Sequence, residues 1–178
     1  MNTEQFNVPF TRTAMKWGAI MGFGSILVSM LFYFFTGKMD TQNSFQTVIS
    51  IGIYIAGIIF CIKEQRDELQ QGYISFGRAT GVSMLTVICS ALISGVFTYA
   101  FLKFGDPGLI ENMITQTEEK LREDGQSDEQ IEMAIEMTRK IMQPGFLTFS
   151  AIFMSALIGL VPSLIIAAIM KKEPQTGF

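Results

Sequence analysis

Histidine is absent from this chain of 178 residues. With it goes the side chain most often recruited as a general base near neutral pH and as a metal ligand. Cysteine occurs only as Cys61 and Cys89, both inside long apolar runs, where a thiol behaves as a small apolar side chain. That usage supports no disulfide framework. Charge is also scarce: 16% of the residues are charged, against about 25% in an average soluble domain. The deficit is concentrated in windows 17–35, 45–62, 79–102 and 146–170, which contain no Asp, Glu, Lys or Arg. Ion and proton paths through membranes usually carry an ionisable residue at depth, and these windows offer none. No metal cluster, nucleophile with a neighbouring base, phosphate loop or paired intramembrane carboxylates can be assembled from what is left. No catalytic residue, metal site or cofactor is therefore expected, and the chain reads as a non-enzyme. No basic patch points to nucleic acid.

What the chain has is four apolar runs of 19, 18, 24 and 25 residues. About 20 apolar residues in a helix cross roughly 30 Å of hydrocarbon. The runs lack the polar face that a helix of a soluble bundle would show. They predict an all-α integral membrane protein: one membrane domain over 1–178, a four-helix bundle with an amphipathic helical hairpin (107–143) inserted between spans three and four. The first run is too long for a signal peptide, and GKMDTQN after it offers no small-x-small cleavage site, so this span is expected to remain.

Cytoplasmic loops are enriched in Lys and Arg. With four spans, both termini share a side with the 63–78 loop. That side carries Arg12, Lys16, Lys63, Arg66, Arg78, Lys171 and Lys172 against five acids, with Lys16, Lys63, Arg78, Lys171 and Lys172 close to span ends. The other side carries Lys38, Lys103, Lys120, Arg122, Arg139 and Lys140 against eleven acids. Both termini are thus expected in the cytoplasm. GYISFGRATG, entering span three, then reads as an interfacial turn: Gly72 and Gly77 supply tight backbone geometry, Tyr73 and Phe76 anchor at headgroup level, and Arg78 snorkels toward phosphates. Lysine should then replace Arg78 nearly silently. The competing reading makes Tyr73, Phe76 and Arg78 a contact for a cytoplasmic partner.

Each span carries a stripe of small or weakly polar residues: Gly18, Gly22, Ser25 and Ser29 in the first; Ser50, Tyr54, Gly57 and Cys61 in the second; Thr80, Ser83, Ser90, Ser94 and Thr98 in the third; Ser155, Gly159 and Ser163 in the fourth. Such stripes allow close helix approach in lipid, so Gly18, Gly22, Gly57 and Gly159 are assigned to packing rather than to a polar path. Pro162 removes a backbone hydrogen bond and predicts a kink. In the insertion, Leu109, Ile110, Met113, Ile114, Thr117 and Leu121 follow helical spacing up to Gly125. Ser127 and Gln130 then form a capping-box pair opening a second helix with Ile131, Ala134, Ile135, Thr138 and Met142 on its apolar face. Pro144 and Gly145 are expected to close it. Ten of the sixteen acids lie here and read as a solvated face. Phe32–Phe35, the 97–104 aromatics and Phe146, Phe149 and Phe153 crowd one membrane face, where a groove for lipid tails or a partner's helix is expected.

The KWGAIMGFGS run, the ISFGRA corner, the GDPGLIE step and the order of spans and insertion resemble a bacterial membrane family, found mainly in Bacteroidota and catalogued as domain of unknown function 4199. The resemblance covers about 10–172. It implies a fold and a bacterial inner membrane, and no catalytic residues. It also implies an association with lipid-linked glycosyl transfer that no residue of the chain itself indicates. The functional expectation is a small accessory or scaffold subunit in contact with the bilayer and with a membrane-protein partner or further copies of itself. The alternative is a small oligomeric transporter or lipid flippase.

Overall fold

A computed structural model describes residues 9–36 and 44–172. Residues 37–43, which hold the GKMDTQN stretch and Lys38, lie outside them, as do 1–8 and 173–178. The described chain is helical: α1 Thr11–Thr36, α2 Ser44–Asp67, α3 Phe76–Ala100, α4 Leu109–Glu123, α5 Asp128–Ile141 and α6 Pro144–Met170. A five-residue π-helical segment, Phe101–Gly105, continues α3. The segments Thr11–Thr36, Phe45–Asp67, Phe76–Gly105 and Pro144–Met170 are long and apolar enough to cross a bilayer. The protein is an all-α, multi-pass membrane protein.

The helices outrun the charge-free windows. α1 begins six residues before position 17, and α2 continues through Lys63, Glu64, Gln65, Arg66 and Asp67. A window defined by missing charge ends where the hydrocarbon does, whereas the helix needs only its backbone hydrogen bonds and continues into the headgroup layer. Pro144 does not close α5. It is the first residue of α6, where its missing N–H costs nothing and its fixed φ suits a helix start. α6 runs through Pro162 to Met170 as one helix.

The chain folds into two compact units, Met1–Ser94 with Ile152–Phe178, and Gly95–Ala151. The core of the first unit draws on α1 (Ala14), α2 (Ile58, Cys61, Ile62), the α2–α3 turn (Ile74), α3 (Ala79, Val82, Val87) and α6 (Ala167). The glycines set how closely these helices meet. A Cβ at Gly18 would lie 2.6 Å from Cys89 Cβ and 2.9 Å from the Thr86 carbonyl oxygen. One at Gly22 would stand 3.0 Å from Ile93 Cβ, one at Gly159 2.6 Å from Val87 Cγ1, and one at Gly57 would overlap Met21 Sδ and Cγ. Two buried hydroxyls of α3 turn to its own backbone: Ser83 Oγ donates to Ala79 O at 2.8 Å and Thr86 Oγ1 to Val82 O at 2.8 Å. Thr86 Oγ1 also lies 3.0 Å from Cys61 Sγ, linking α3 to α2. Phe23, Leu27 and Ile169 point outward, as lipid-facing side chains do.

The second unit holds the end of α3, the hairpin and the first turns of α6. The π-helical turn closes through Asp106 N–H donating to Phe101 O at 3.0 Å. Gly105 is needed there because a Cβ would come within 2.7 Å of the Phe101 ring. α4 buries Leu109 and Ile114, α5 buries Ile131, and Gly125, at φ +75°, turns the chain between them. The Ser127–Gln130 capping box forms: Gln130 N–H donates to Ser127 Oγ at 3.4 Å, and Ser127 N–H donates to Gln130 Oε1 at 3.1 Å. Arg139 reaches back to Glu111 through two bonds of 2.8 and 3.2 Å.

Candidate functional site

The segment 64–78 contains the one strongly built polar structure of the first unit among the described residues. It starts where α2 leaves its apolar run. Glu64 Oε2 accepts from Lys16 Nζ at 2.7 Å and from Trp17 Nε1 at 2.8 Å, so a single carboxylate joins α2 to α1. The Trp17 ring stacks on Phe60, centroids 5.4 Å apart, which places the chain's one tryptophan with its apolar body on the helices and its N–H on a charge.

Two residues on, Arg66 holds Asp67 through 2.6 and 3.0 Å bonds. Its Nη1 also donates to the Met170 carbonyl at 3.2 Å, supplying one of the last α6 carbonyls with a donor that the helix itself cannot provide. The chain then turns through Gln71 (φ +53°) and Gly72 (φ +87°). Gly72 N–H returns to Arg66 O at 2.8 Å. Ile74, fully buried in the core, forms an isolated antiparallel bridge with Lys172: its N–H donates to Lys172 O at 2.8 Å, and its carbonyl accepts from Lys172 N–H at 2.9 Å. Lys172 Nζ lies 5.5 Å from the centre of the Tyr73 ring, within cation–π range.

Beneath the turn lies an amide pair. Gln65 and Gln70 are buried. The Gln70 amide oxygen accepts from Arg78 Nε at 2.7 Å and from Gln65 Nε2 at 2.9 Å, and its nitrogen donates to Tyr73 O at 3.1 Å. The orientation follows from the donors and acceptors around it.

These contacts revise the reading of the GYISFGRATG stretch. The left-handed backbone is at Gln71 and Gly72; Gly77 lies in the first turn of α3 with open space where a Cβ would point. Gly77→Ala should therefore be neutral or slightly stabilising, whereas Gly72→Ala should cost about 1–2 kcal/mol, a difference that thermal unfolding in detergent would measure. Arg78 is more than a cation at a span end. Its guanidinium edge bonds Gln70, so lysine, with no Nε–H at that position, is not an equivalent replacement. Phe76 opens α3 and is partly exposed, and Tyr73 is half-buried under Lys172. Tyr73, through its carbonyl, and Arg78 thus meet at Gln70. Sequence reasoning misses Glu64, Gln65, Gln70 and the Ile74–Lys172 bridge as site residues. An uncharged amide after an apolar run carries no signal that separates a buried one from a solvated one.

In the second unit the acids lie on the solvated side of the hairpin. Arg122 pairs with Glu118 at 3.0 Å and Lys140 with Glu136 at 2.7 Å, both one helical turn apart. The hydrogen bond from Lys140 holds the Glu136 carboxyl below its ordinary value. No group of three or more Cys, Asp or Glu able to hold a metal ion occurs among the described residues. Of the aromatics expected to crowd one membrane face, Phe34, Phe35 and Phe153 are exposed in the first unit, and Tyr99, Phe104, Phe146 and Phe149 in the second. Phe97 and Phe101 stack at 6.0 Å.

What the corner does chemically is bind its own chain. Charges and amides from α1, α2, α3 and α6 meet there in hydrogen bonds of 2.7–3.2 Å. No curated protein and no solved structure matches the chain. A family model matches residues 16–172, from Lys16 of the Glu64 pair to Lys172 of the bridge, and the chain belongs to that family, described as protein of unknown function (DUF4199).

Proposed function

We propose that this protein is a small accessory or scaffold subunit of the bacterial inner membrane, without chemistry of its own, that holds a membrane-protein partner. The observation that carries this reading is the commitment of the corner's polar groups to internal partners. Glu64 is occupied by Lys16 and Trp17, Arg66 by Asp67 and the end of α6, and Gln70 by Arg78 and Gln65. Groups so engaged stiffen a frame and are poorly placed to attack or protonate a substrate. Two of the stripe hydroxyls, Ser83 and Thr86, donate to carbonyls of their own helix, which supports packing at those positions. In this reading both termini and the 68–75 turn face the cytoplasm, and 106–143 faces the other side. The link to lipid-linked glycosyl transfer rests on the family resemblance alone.

Purification in mild detergent followed by mass spectrometry should recover a membrane protein in fixed ratio. Lipid scrambling or solute uptake by the purified chain in vesicles would instead establish the transporter. Sidedness is read separately. Cysteine introduced near Gly125, with Cys61 and Cys89 replaced by alanine, should react with an impermeant maleimide in intact spheroplasts. Reaction only after lysis would reverse the orientation.

A further inference from the structure

The two hairpin helices use their apolar faces differently. On α4 every residue of the face, Leu109, Ile110, Met113, Ile114, Thr117 and Leu121, is buried or half-buried. On α5 the face is broader than α4 covers. Ile131 is buried and Ala134, Ile135, Thr138 and Met142 are half-buried, but Met133, Met137 and Ile141, each four residues from the next, remain 57%, 64% and 48% exposed. Four-residue spacing puts them in one row beside the covered face. The charged residues Glu129, Glu132, Glu136, Arg139 and Lys140 take the remaining arc.

The chain itself fixes the depth of one end of this row. Only Met142 and Gln143 separate Ile141 from Pro144, the first residue of an apolar helix long enough to span the bilayer. Both residues are already tied down: Met142 N–H donates to Thr138 O at 2.8 Å, and Gln143 O accepts from Leu147 N–H at 2.9 Å. Three residue-to-residue steps of backbone cover at most about 11 Å, so the last turn of α5 lies within that distance of the start of the α6 span. Two large apolar side chains in the first turns of α6, Phe146 and Phe149, are also 51% and 69% exposed. Met133 lies eight residues up the helix, about 12 Å away along its axis. Were α5 to rise along the membrane normal, Met133 and Met137 would stand in water with nothing to cover them. Laid in the membrane plane, all three enter the headgroup–acyl boundary and the charged arc faces solvent, the arrangement of an interfacial amphipathic helix. A second copy is the weaker occupant, because three side chains expose on the order of a few hundred Å², whereas a stable interface needs about 800 Å² per partner.

We propose that α5 is an interfacial helix whose Met133–Met137–Ile141 row docks on the lipid bilayer. The inference is independent of which side of the membrane the hairpin occupies and of any partner.

The test is nitroxide depth measurement on the full chain in nanodiscs of phosphatidylethanolamine and phosphatidylglycerol. Single cysteines replace Met133, Met137, Ile141 or, on the charged arc, Glu132, in a Cys89→Ala background that keeps the buried Cys61. Oxygen, which concentrates in lipid, should relax the three row labels several-fold more, relative to a water-soluble nickel chelate, than it relaxes the Glu132 label. Nickel access to the row equal to that at Glu132 would overturn the proposal. So would labels shielded from both reagents with spin–spin broadening, since that places a second copy on the row. A double variant, Met133→Glu with Met137→Glu, should retain its helicity, because both side chains are exposed, and should shift the Ile141 label toward nickel. An unshifted Ile141 label in that folded variant would equally overturn the proposal.

Discussion

Gly18→Leu is expected to remove most of the folded protein recoverable in detergent, while Gly52→Leu leaves the yield intact. Both glycines lie mid-helix in spans, so propensity and hydrophobicity change alike. What differs is space. A Cβ at Gly18 meets the Thr86 carbonyl oxygen at 2.9 Å and the Ser90 nitrogen at 3.3 Å, both α3 backbone, besides Cys89 Cβ at 2.6 Å; at Gly52 nothing lies within 4 Å. Flexible side-chain tips swing away from an intruding methyl, but backbone moves only if the whole helix moves. The added leucine carbons must therefore push α1 and α3 apart and open the packing around Gly22 as well. Overpacking costs about 1–3 kcal/mol, and contact with backbone puts this case near the top of that range. Size-exclusion recovery and thermal unfolding of the two variants give the comparison, and equal loss from both would refute the close approach.

The second large effect is expected at Ile74. Its side chain is buried at 1% exposure among residues from α2, α3 and α6, while its backbone carries the bridge to Lys172. Ile74→Ala keeps the backbone groups and removes only the buried carbons, a change that typically costs about 2–5 kcal/mol through lost transfer energy and the cavity left behind. Leu69→Ala in the same turn, 38% exposed, should cost far less. Trp17 is the chain's single tryptophan, so its fluorescence reports the unfolding of both variants without a label. A matched midpoint for the two would mean that the corner is not part of the core.

The four spans, their order and the hairpin are legible in the sequence because each follows from a strong bulk signal. Charge-free runs near 20 residues have few solutions other than crossing a bilayer, and the Ser127–Gln130 pair announces a helix start through local chemistry that needs no tertiary context. The corner is legible as a turn but not as a clamp. The Ile74–Lys172 bridge spans residues almost a hundred positions apart, and neither residue carries a local mark of the pairing. Arg78 shows the same limit. A cation at a span end fits snorkelling, and its bond to the buried amide of Gln70, eight residues earlier, leaves no mark in the sequence. Gly77, between an aromatic and an arginine, looks like a turn residue, yet the positive φ values fall at Gln71 and Gly72, where Gly72 N–H folds back onto Arg66 O. The exposed methionines of α5 escape a reading by period, because an inward face accounts for that helix and periodicity gives a direction without a width.

The Ile74–Lys172 bridge also bears on biosynthesis. The corner's own amide and carbonyl are translated long before the residue that satisfies them. Until α6 arrives, Ile74 presents one unmet donor and one unmet acceptor inside an apolar setting, a state that costs free energy for each group, and Arg66 lacks the Met170 carbonyl it later caps. A chain that has not yet reached Lys172 thus leaves the corner open, and α6, once in place, acts as its latch.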